Sequence, residues 1–228
     1  MNYTHVHNYS DFAQSFTKSD GTRIYRTLTG SVYPSVTTVM SHHTKPGIMA
    51  WKESVGPEEA NKISRQATIR GSRVHNLVEQ TLKNKDYQPY SLTLPLPVLM
   101  MFDSLLPYLQ KINNIHAIET ALYSDFLRLA GRVDCIAEYE NELSIIDIKT
   151  ASKAKKKEYI SHYFMQCSAY AIMYEELTHI PVPNIIVIMA VEDDYPIIFK
   201  ERRNTWAKQL LSVRDQFETD NHLTYAQV

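Results

Sequence analysis

Residues Leu143 to Thr150 place a carboxylate and an ammonium two positions apart inside an apolar run. The run reads as a strand. Side chains alternate along a strand, so Asp147 and Lys149 share one face while Ile146 and Ile148 point into the core. Burying either charge without a partner is costly. The segment therefore demands an ion pair, a metal or access to solvent. A strand-end salt bridge would meet that demand, so the pair alone fixes no chemistry.

Its surroundings add to it. Gly131 to Tyr139 reads as the preceding strand, with Asn141–Glu142 as a tight turn between the two. That hairpin brings Asp134 toward Asp147. Two carboxylates held together repel and raise each other's pKa. A divalent cation removes the conflict, and hard oxygen ligands suit Mg²⁺ or Mn²⁺. Upstream, His75 and Glu79 lie four apart on one face of a helical pattern. Downstream, Gln166 and Tyr170 are also four apart, a pairing suited to a nucleotide's phosphate or base and equally to an ordinary helix face.

The rest of the chain frames these residues. Residues 1 to 34 read as a polar lead with a hairpin near Arg23 to Thr29, turned by Gly21 and Gly30. A helix starts at Pro34–Ser35 with Val36, Val39 and Met40 inward, and Pro46–Gly47 is a break. Pro57 to Lys83 is helical, with Ile63, Ala67, Val74, Leu77, Val78 and Leu82 at helical spacing. After a loop over 84–95, Val98 to Ile115 is a second helix bent near Pro107. Then come strands from His116 to Leu122, Gly131 to Tyr139 and Leu143 to Thr150. A helix follows over Lys155 to Thr178, then strands over Asn184 to Glu192 and Tyr195 to Lys200 about an Asp193–Asp194 turn. A helix over Thr205 to Phe217 closes the order. That order gives a mixed α/β (α+β) core behind a helical N-terminal region. The expected organisation is a region over 1–115 that packs on the core and covers the site, and a core over 116–228.

The length of 228 residues suits such a single unit. No apolar run approaches a membrane span. The first ten residues lack the basic and apolar parts of a signal peptide. The two cysteines, Cys135 and Cys167, point to free thiols in a reduced compartment and exclude a four-cysteine cluster. A net charge of −1 argues neither for nor against a nucleic-acid partner. A local patch suffices, and Lys153, Lys155, Lys156 and Lys157 supply one.

Gly71-x-x-x-His75, Gly131-Arg-Val-Asp134, Ile146-Asp-Ile-Lys-Thr150 and Gln166-x-x-x-Tyr170 stand in the order of RecB-type nuclease domains. Together they resemble the PD-(D/E)xK superfamily. Glu119 resembles the acid of the strand before the Gly-x-x-Asp motif. Tyr33 to Thr38 resembles a Pro-Ser-Val-Thr segment of the branch holding mitochondrial genome maintenance exonucleases and phage exonucleases. The resemblance spans roughly residues 30 to 202. Val133 stands where many relatives have Pro, and there is no Gly-x-x-x-x-Gly-Lys motor loop.

The resemblance implies a restriction-endonuclease-like core, a mixed central sheet flanked by helices. It implies Mg²⁺ or Mn²⁺ held by Asp134 and Asp147 with the Ile148 carbonyl and His75, and by Glu119 as a weaker candidate. Lys149 would orient or deprotonate water, or steady the phosphate. Gln166 and Tyr170 would hold the substrate strand, and Arg73, Ser35, Thr37 and Lys153 would contact phosphates. The expected activity is hydrolysis of DNA from single-stranded ends, in a bacterial or phage-infected cytoplasm, alongside replication or recombination proteins. An endonuclease of the same fold, a non-catalytic DNA-binding module, and a protein in which Asp147–Lys149 is only a salt bridge are the alternatives.

Overall fold

The computed structural model describes residues 2–7 and 9–223. The lead holds three strands, β1 (Ala13–Thr17), β2 (Arg23–Thr27) and β3 (Val32–Pro34), in one antiparallel sheet. The single hairpin expected there gains a third strand because Gly30, at φ +94, turns the chain back and Val32–Pro34 pairs with Ile24–Arg26. Ala13, Tyr25 and Tyr33 bury themselves against Ala121 and Ala130 of the main sheet.

Helix α1 (Val36–Val55) starts at Ser35, whose hydroxyl accepts from the Thr38 N–H at 3.0 Å. The expected break at Pro46–Gly47 does not occur. Pro46 forfeits one helical bond on a stretch exposed from Lys45 to Ala50, where solvent replaces it. Helix α2 (Pro57–Leu82) has Pro57 in its first turn with Glu58 and Glu59, both favourable there. Its buried residues fall mostly in its C-terminal third: Val74, Leu77, Val78, Thr81 and Leu82. Ile63, expected to face inward, is exposed, because the second half of α1 and the first half of α2 stand off the core.

A short helix, α3 (Gln88–Ser91), lies in the predicted 84–95 loop, and α4 (Leu96–Leu109) follows. Helix α4 ends six residues before the expected Ile115, because Ile112 already belongs to a strand. The spacing of Ile112 and Ile115 fits a helix equally well. An irregular register between Asn113 and Ala117, with Asn114 at φ +44, lets both reach the core from a strand.

The main sheet runs in sequence order: β4 (Ile112–Ser124), β5 (Leu129–Tyr139), β6 (Glu142–Ala151), β7 (Asn184–Val191) and β8 (Ile197–Arg202). All neighbours are antiparallel except β6 and β7, which are parallel. The crossover this requires carries α5 (Ser161–Thr178), preceded by a 3₁₀ turn over Lys157–Tyr159. Thus α5 starts six residues later than Lys155. The β5–β6 turn is Glu140–Asn141, one residue earlier than expected, with both residues at positive φ. Ion pairs from Lys111 and Lys200 hold the Glu140 side chain. Helix α6 (Arg203–Asp220) closes the chain.

Helices cover both faces of the sheet. Val36, Phe164, Met165, Leu210 and Phe217 fill one side, from α1, α5 and α6. Val74, Leu77, Phe102 and Leu105 fill the other, from α2 and α4. Each fully buried side chain of this kind contributes about 1.5–3 kcal/mol. Every residue of β7 is buried, as a central strand with a parallel neighbour requires. This rigid frame positions Glu119 on β4, Asp134 on β5, and Asp147 and Lys149 on β6.

Candidate active site

The register of β4 on β5 sets Glu119 opposite Asp134, between the pairs Ile118–Cys135 and Thr120–Val133. Glu119 sits at φ +50, a left-handed conformation that costs a non-glycine residue on the order of 1–3 kcal/mol. Its carbonyl accepts from the Arg132 guanidinium, which Asp11 holds at 2.7 Å. Helix α2 adds His75. Ligand atoms of His75, Glu119 and Asp134 all lie within 4.8 Å of one another. Burial pushes Glu119 up to about 7, with the Asp134 and Glu79 carboxylates adding to it.

Asp134 also reaches the next strand. Its Oδ2 accepts from the Ile148 N–H at 2.9 Å and lies 3.5 Å from His75 Nδ1. The ladder between β5 and β6 runs only to Cys135–Ile146, so this side chain satisfies an amide beyond the last paired residues.

Asp147 and Lys149 follow on β6, under α5. Asp147 is 1% exposed. Its Oδ1 accepts from Lys149 Nζ at 2.7 Å and from Gln166 Nε2 at 3.3 Å. Its Oδ2 makes an ion-pair contact of 2.6 Å with the same ammonium, yet it accepts no well-aligned hydrogen bond and is shut away from water. Burial raises Asp147 to about 6; Lys149 opposes the shift and Asp134 adds to it. Burial would lower Lys149, but Asp147 and Asp134 outweigh it and keep the ammonium charged. The Tyr163 ring meets two cations, Lys149 Nζ 5.0 Å and Lys155 Nζ 5.8 Å from its centroid.

The glycines of the motifs mark contacts between them. A Cβ on Gly131 would meet Tyr170 Cε1 at 2.8 Å, and one on Gly71 would meet Thr150 Oγ1 at 3.5 Å. The first glycine leaves room for the tyrosine, and the second brings α2 against the end of β6.

The donor set fits a divalent cation. Two carboxylates and an imidazole converge, and a third carboxylate nearby keeps one buried oxygen without a hydrogen bond. Residues 50–215 match the family model described as PD-(D/E)XK nuclease superfamily. The chain belongs to this superfamily. Among curated proteins, this PD-(D/E)XK chain is 25% identical to mitochondrial genome maintenance exonuclease 1 of Mus musculus, over 84% of its own length and 61% of the relative's. It is 28% identical to the Homo sapiens protein of the same name, over 56% of this chain and 39% of that one. The chain thus spans less than two thirds of the length of either relative. Among solved structures it is similar to that of SSO0001, with a TM-score of 0.38 at 12% identity over 85% of this chain and 87% of that one, a level that adds nothing to the family assignment.

Within this nuclease fold the predicted residues fall into three sets. His75, Glu119 and Asp134 come together, so the weaker candidate Glu119 stands inside the cluster. Asp147, Lys149 and Gln166 form a second group, joined to the first through Asp134 and Ile148. The remaining four candidates and Tyr170 lie apart from these contacts. Tyr170 is 1% exposed and packs on Gly131. Ser35 is buried as the α1 cap, with the Thr37 hydroxyl 2.8 Å away. Arg73 is half-buried on α2, and Lys153 is exposed after β6. Two residues escaped the sequence reading. Tyr163 precedes Gln166 by three and Tyr170 by seven, so helical spacing could have flagged it. Arg70 pairs with Glu192 at 3.0 Å and keeps its buried Nε without a hydrogen bond, a long-range arrangement that left no local signal.

Proposed function

We propose that the protein is a divalent-metal-dependent DNA exonuclease acting on single-stranded ends. The observation that carries this reading is the convergence of His75, Glu119 and Asp134 beside the buried Asp147–Lys149 pair. His75, Glu119 and Asp134 would hold Mg²⁺ or Mn²⁺, with Asp147 Oδ2 available to it. When bound, the ion supplies charge that activates water and offsets that of the phosphate.

The chain's own residues do the rest. Lys149, kept protonated by two carboxylates, presents a fixed positive charge to the phosphate undergoing attack. Gln166 clamps Asp147 and sets the direction of the pair. The Tyr163 ring lies against the Lys149 ammonium, 5.0 Å from its centroid. We assign the second half of α1 and the first half of α2, which stand off the core, the task of covering the site so that strands enter by their ends. Residues 116–228 form the catalytic core in this reading, with 1–115 as its cover. The names of the curated relatives support exonuclease over endonuclease. The setting that fits is DNA replication or recombination in a bacterial or phage-infected cytoplasm.

The test is digestion of end-labelled linear single-stranded DNA beside circular single-stranded DNA, with Mg²⁺, Mn²⁺ or EDTA. Loss of linear DNA alone, dependent on metal and reduced on the order of 10²–10³-fold in K149A, is the expected result. Cutting of circles would make the enzyme an endonuclease. Absence of cutting with either metal would leave a DNA-binding module.

A further inference from the structure

Beside the metal-ligand cluster, a groove of about 450 Å³ runs along the outer edge of β4. The N-terminal strap builds one wall. The Val6 N–H donates to the Ile115 carbonyl and the Ile115 N–H to the Thr4 carbonyl, each at 2.8 Å. The segment just after α2 builds the other, fastened where the Tyr3 N–H donates to Asn84 Oδ1 at 2.7 Å and Asn84 Nδ2 donates to the Tyr3 carbonyl at 2.8 Å. Ile118 lines both this groove and the cleft of His75, Glu119 and Asp134. Glu79 of the cleft pairs with Lys83 of the groove at 2.6 Å. The two spaces are one side chain apart.

The walls carry rings on one side and cations on the other. The His7 ring stacks on Tyr9 at 5.1 Å between centroids and meets His116 edge-on at 4.8 Å. The Tyr174 hydroxyl fixes His116 at 2.9 Å. Lys83 and Lys85 project from the end of α2. These histidines are not spaced as metal ligands: among the described residues, the only group of three or more ligands so spaced is His75, Glu119 and Asp134. Aromatic faces take bases with little regard to sequence, and cations beside them follow the phosphate backbone.

We propose that this groove is a nucleotide subsite for the single strand being cut. A base rests on the wall of His7, Tyr9 and His116, and its phosphate lies toward Lys83 and Lys85. The subsite rests on the nuclease reading above, since its place next to the metal cleft sets which nucleotide it takes: the neighbour of the cleaved bond.

The experiment is fluorescence anisotropy of a labelled phosphorothioate oligothymidine with the full chain in Mg²⁺, across a salt series, for wild type, H7A, H7F and K85A. His7 and Lys85 are exposed, so the variants should fold, and thermal midpoints check this. Loss of one phosphate contact in K85A should reduce the slope of log K against log salt by about 0.7. Affinity should fall on the order of tenfold in H7A with the slope unchanged, and H7F should restore it. Wild-type affinity and slope in both H7A and K85A, with wild-type cleavage intact, would overturn the subsite and leave the nuclease standing. A wild type that neither binds nor cuts DNA would overturn both.

Discussion

Replacing Gly131 with alanine tests whether the motifs form one packed unit. The new methyl would stand 2.8 Å from Tyr170 Cε1, 3.1 Å from its hydroxyl oxygen and 3.4 Å from Cζ. Carbon atoms settle at about 3.5–4.0 Å, so ring or strand must yield by on the order of 1 Å. Neither has space. Tyr170 is 1% exposed, and Gly131 is buried on β5 and paired with Leu122 of β4. Alanine at a glycine with ordinary φ stabilises by about 0.4–1 kcal/mol through the unfolded chain. Overpacking costs about 1–3 kcal/mol. A net loss of roughly 1–2 kcal/mol is expected. Tyr170 follows Gln166 by one helical turn, so a displaced ring also disturbs the bond from Gln166 to Asp147, and cleavage should fall below what stability explains. Urea unfolding of G131A, Y170L and the double variant gives the coupling directly. Leucine vacates the ring's volume, so alanine at 131 should cost little in that background. An equal cost in both backgrounds would refute the argument.

Three other perturbations separate the groups of the site. Glu119 has its pKa raised to about 7, so the metal-free fold loses stability as pH rises from about 4.5 through 7 and this carboxyl ionises. E119Q should recover at most roughly 3 kcal/mol at pH 8 in EDTA while weakening Mn²⁺ binding in calorimetry; unchanged Mn²⁺ affinity would remove Glu119 from the ligand set. K149M leaves the Asp147 carboxylate buried without its cation, which should cost about 3–5 kcal/mol in EDTA. Mn²⁺ should restore part of that loss, and a melting curve indifferent to Mn²⁺ would favour a plain salt bridge. Burial, with Lys155, Lys149 and His43 adding charge, pushes His162 down to about 4. A histidine folded neutral loses stability once pH falls below about 6.5, increasingly until about 4, so H162Q should remove at most about 2 kcal/mol of destabilisation at pH 5, less what solvent screens. Equal pH 5 to pH 8 differences in unfolding of both proteins would refute this.

Local pattern was enough to read β5, β6 and β7: alternation around Asp147 and Lys149 marked β6, and an unbroken apolar run marked the fully buried β7. It failed where a residue's direction depends on φ. Glu119 sits at φ +50 within β4, a departure from extended backbone inside the cluster with His75 and Asp134 that no local pattern announces. Asn141 signalled the β5–β6 turn, but Glu140 adopts positive φ beside charges from Lys111 and Lys200, which lie far off in sequence. Ile63 kept a helical period without a core to face, since periodicity records what a helix can bury and not whether anything covers it.

The site residues show the same division more sharply. Asp134, Asp147, Lys149 and His75 were legible as motif members, but each motif is short enough to arise by chance. What binds them lies between motifs: Gly131 under the Tyr170 ring, Gly71 against Thr150, Asp134 on the Ile148 amide, Gln166 on Asp147. Gly131 has its reason in the side chain of another motif, Tyr170, far from it in sequence, while Gly71 meets Thr150 at ordinary contact distance. Spacing therefore gave the parts in order, while their joint requirement is a property of the packed sheet and its two helices. That is why alanine at Gly131 should damage cleavage beyond its cost in stability: it acts on the seat of α5, and through α5 on the bond by which Gln166 holds Asp147.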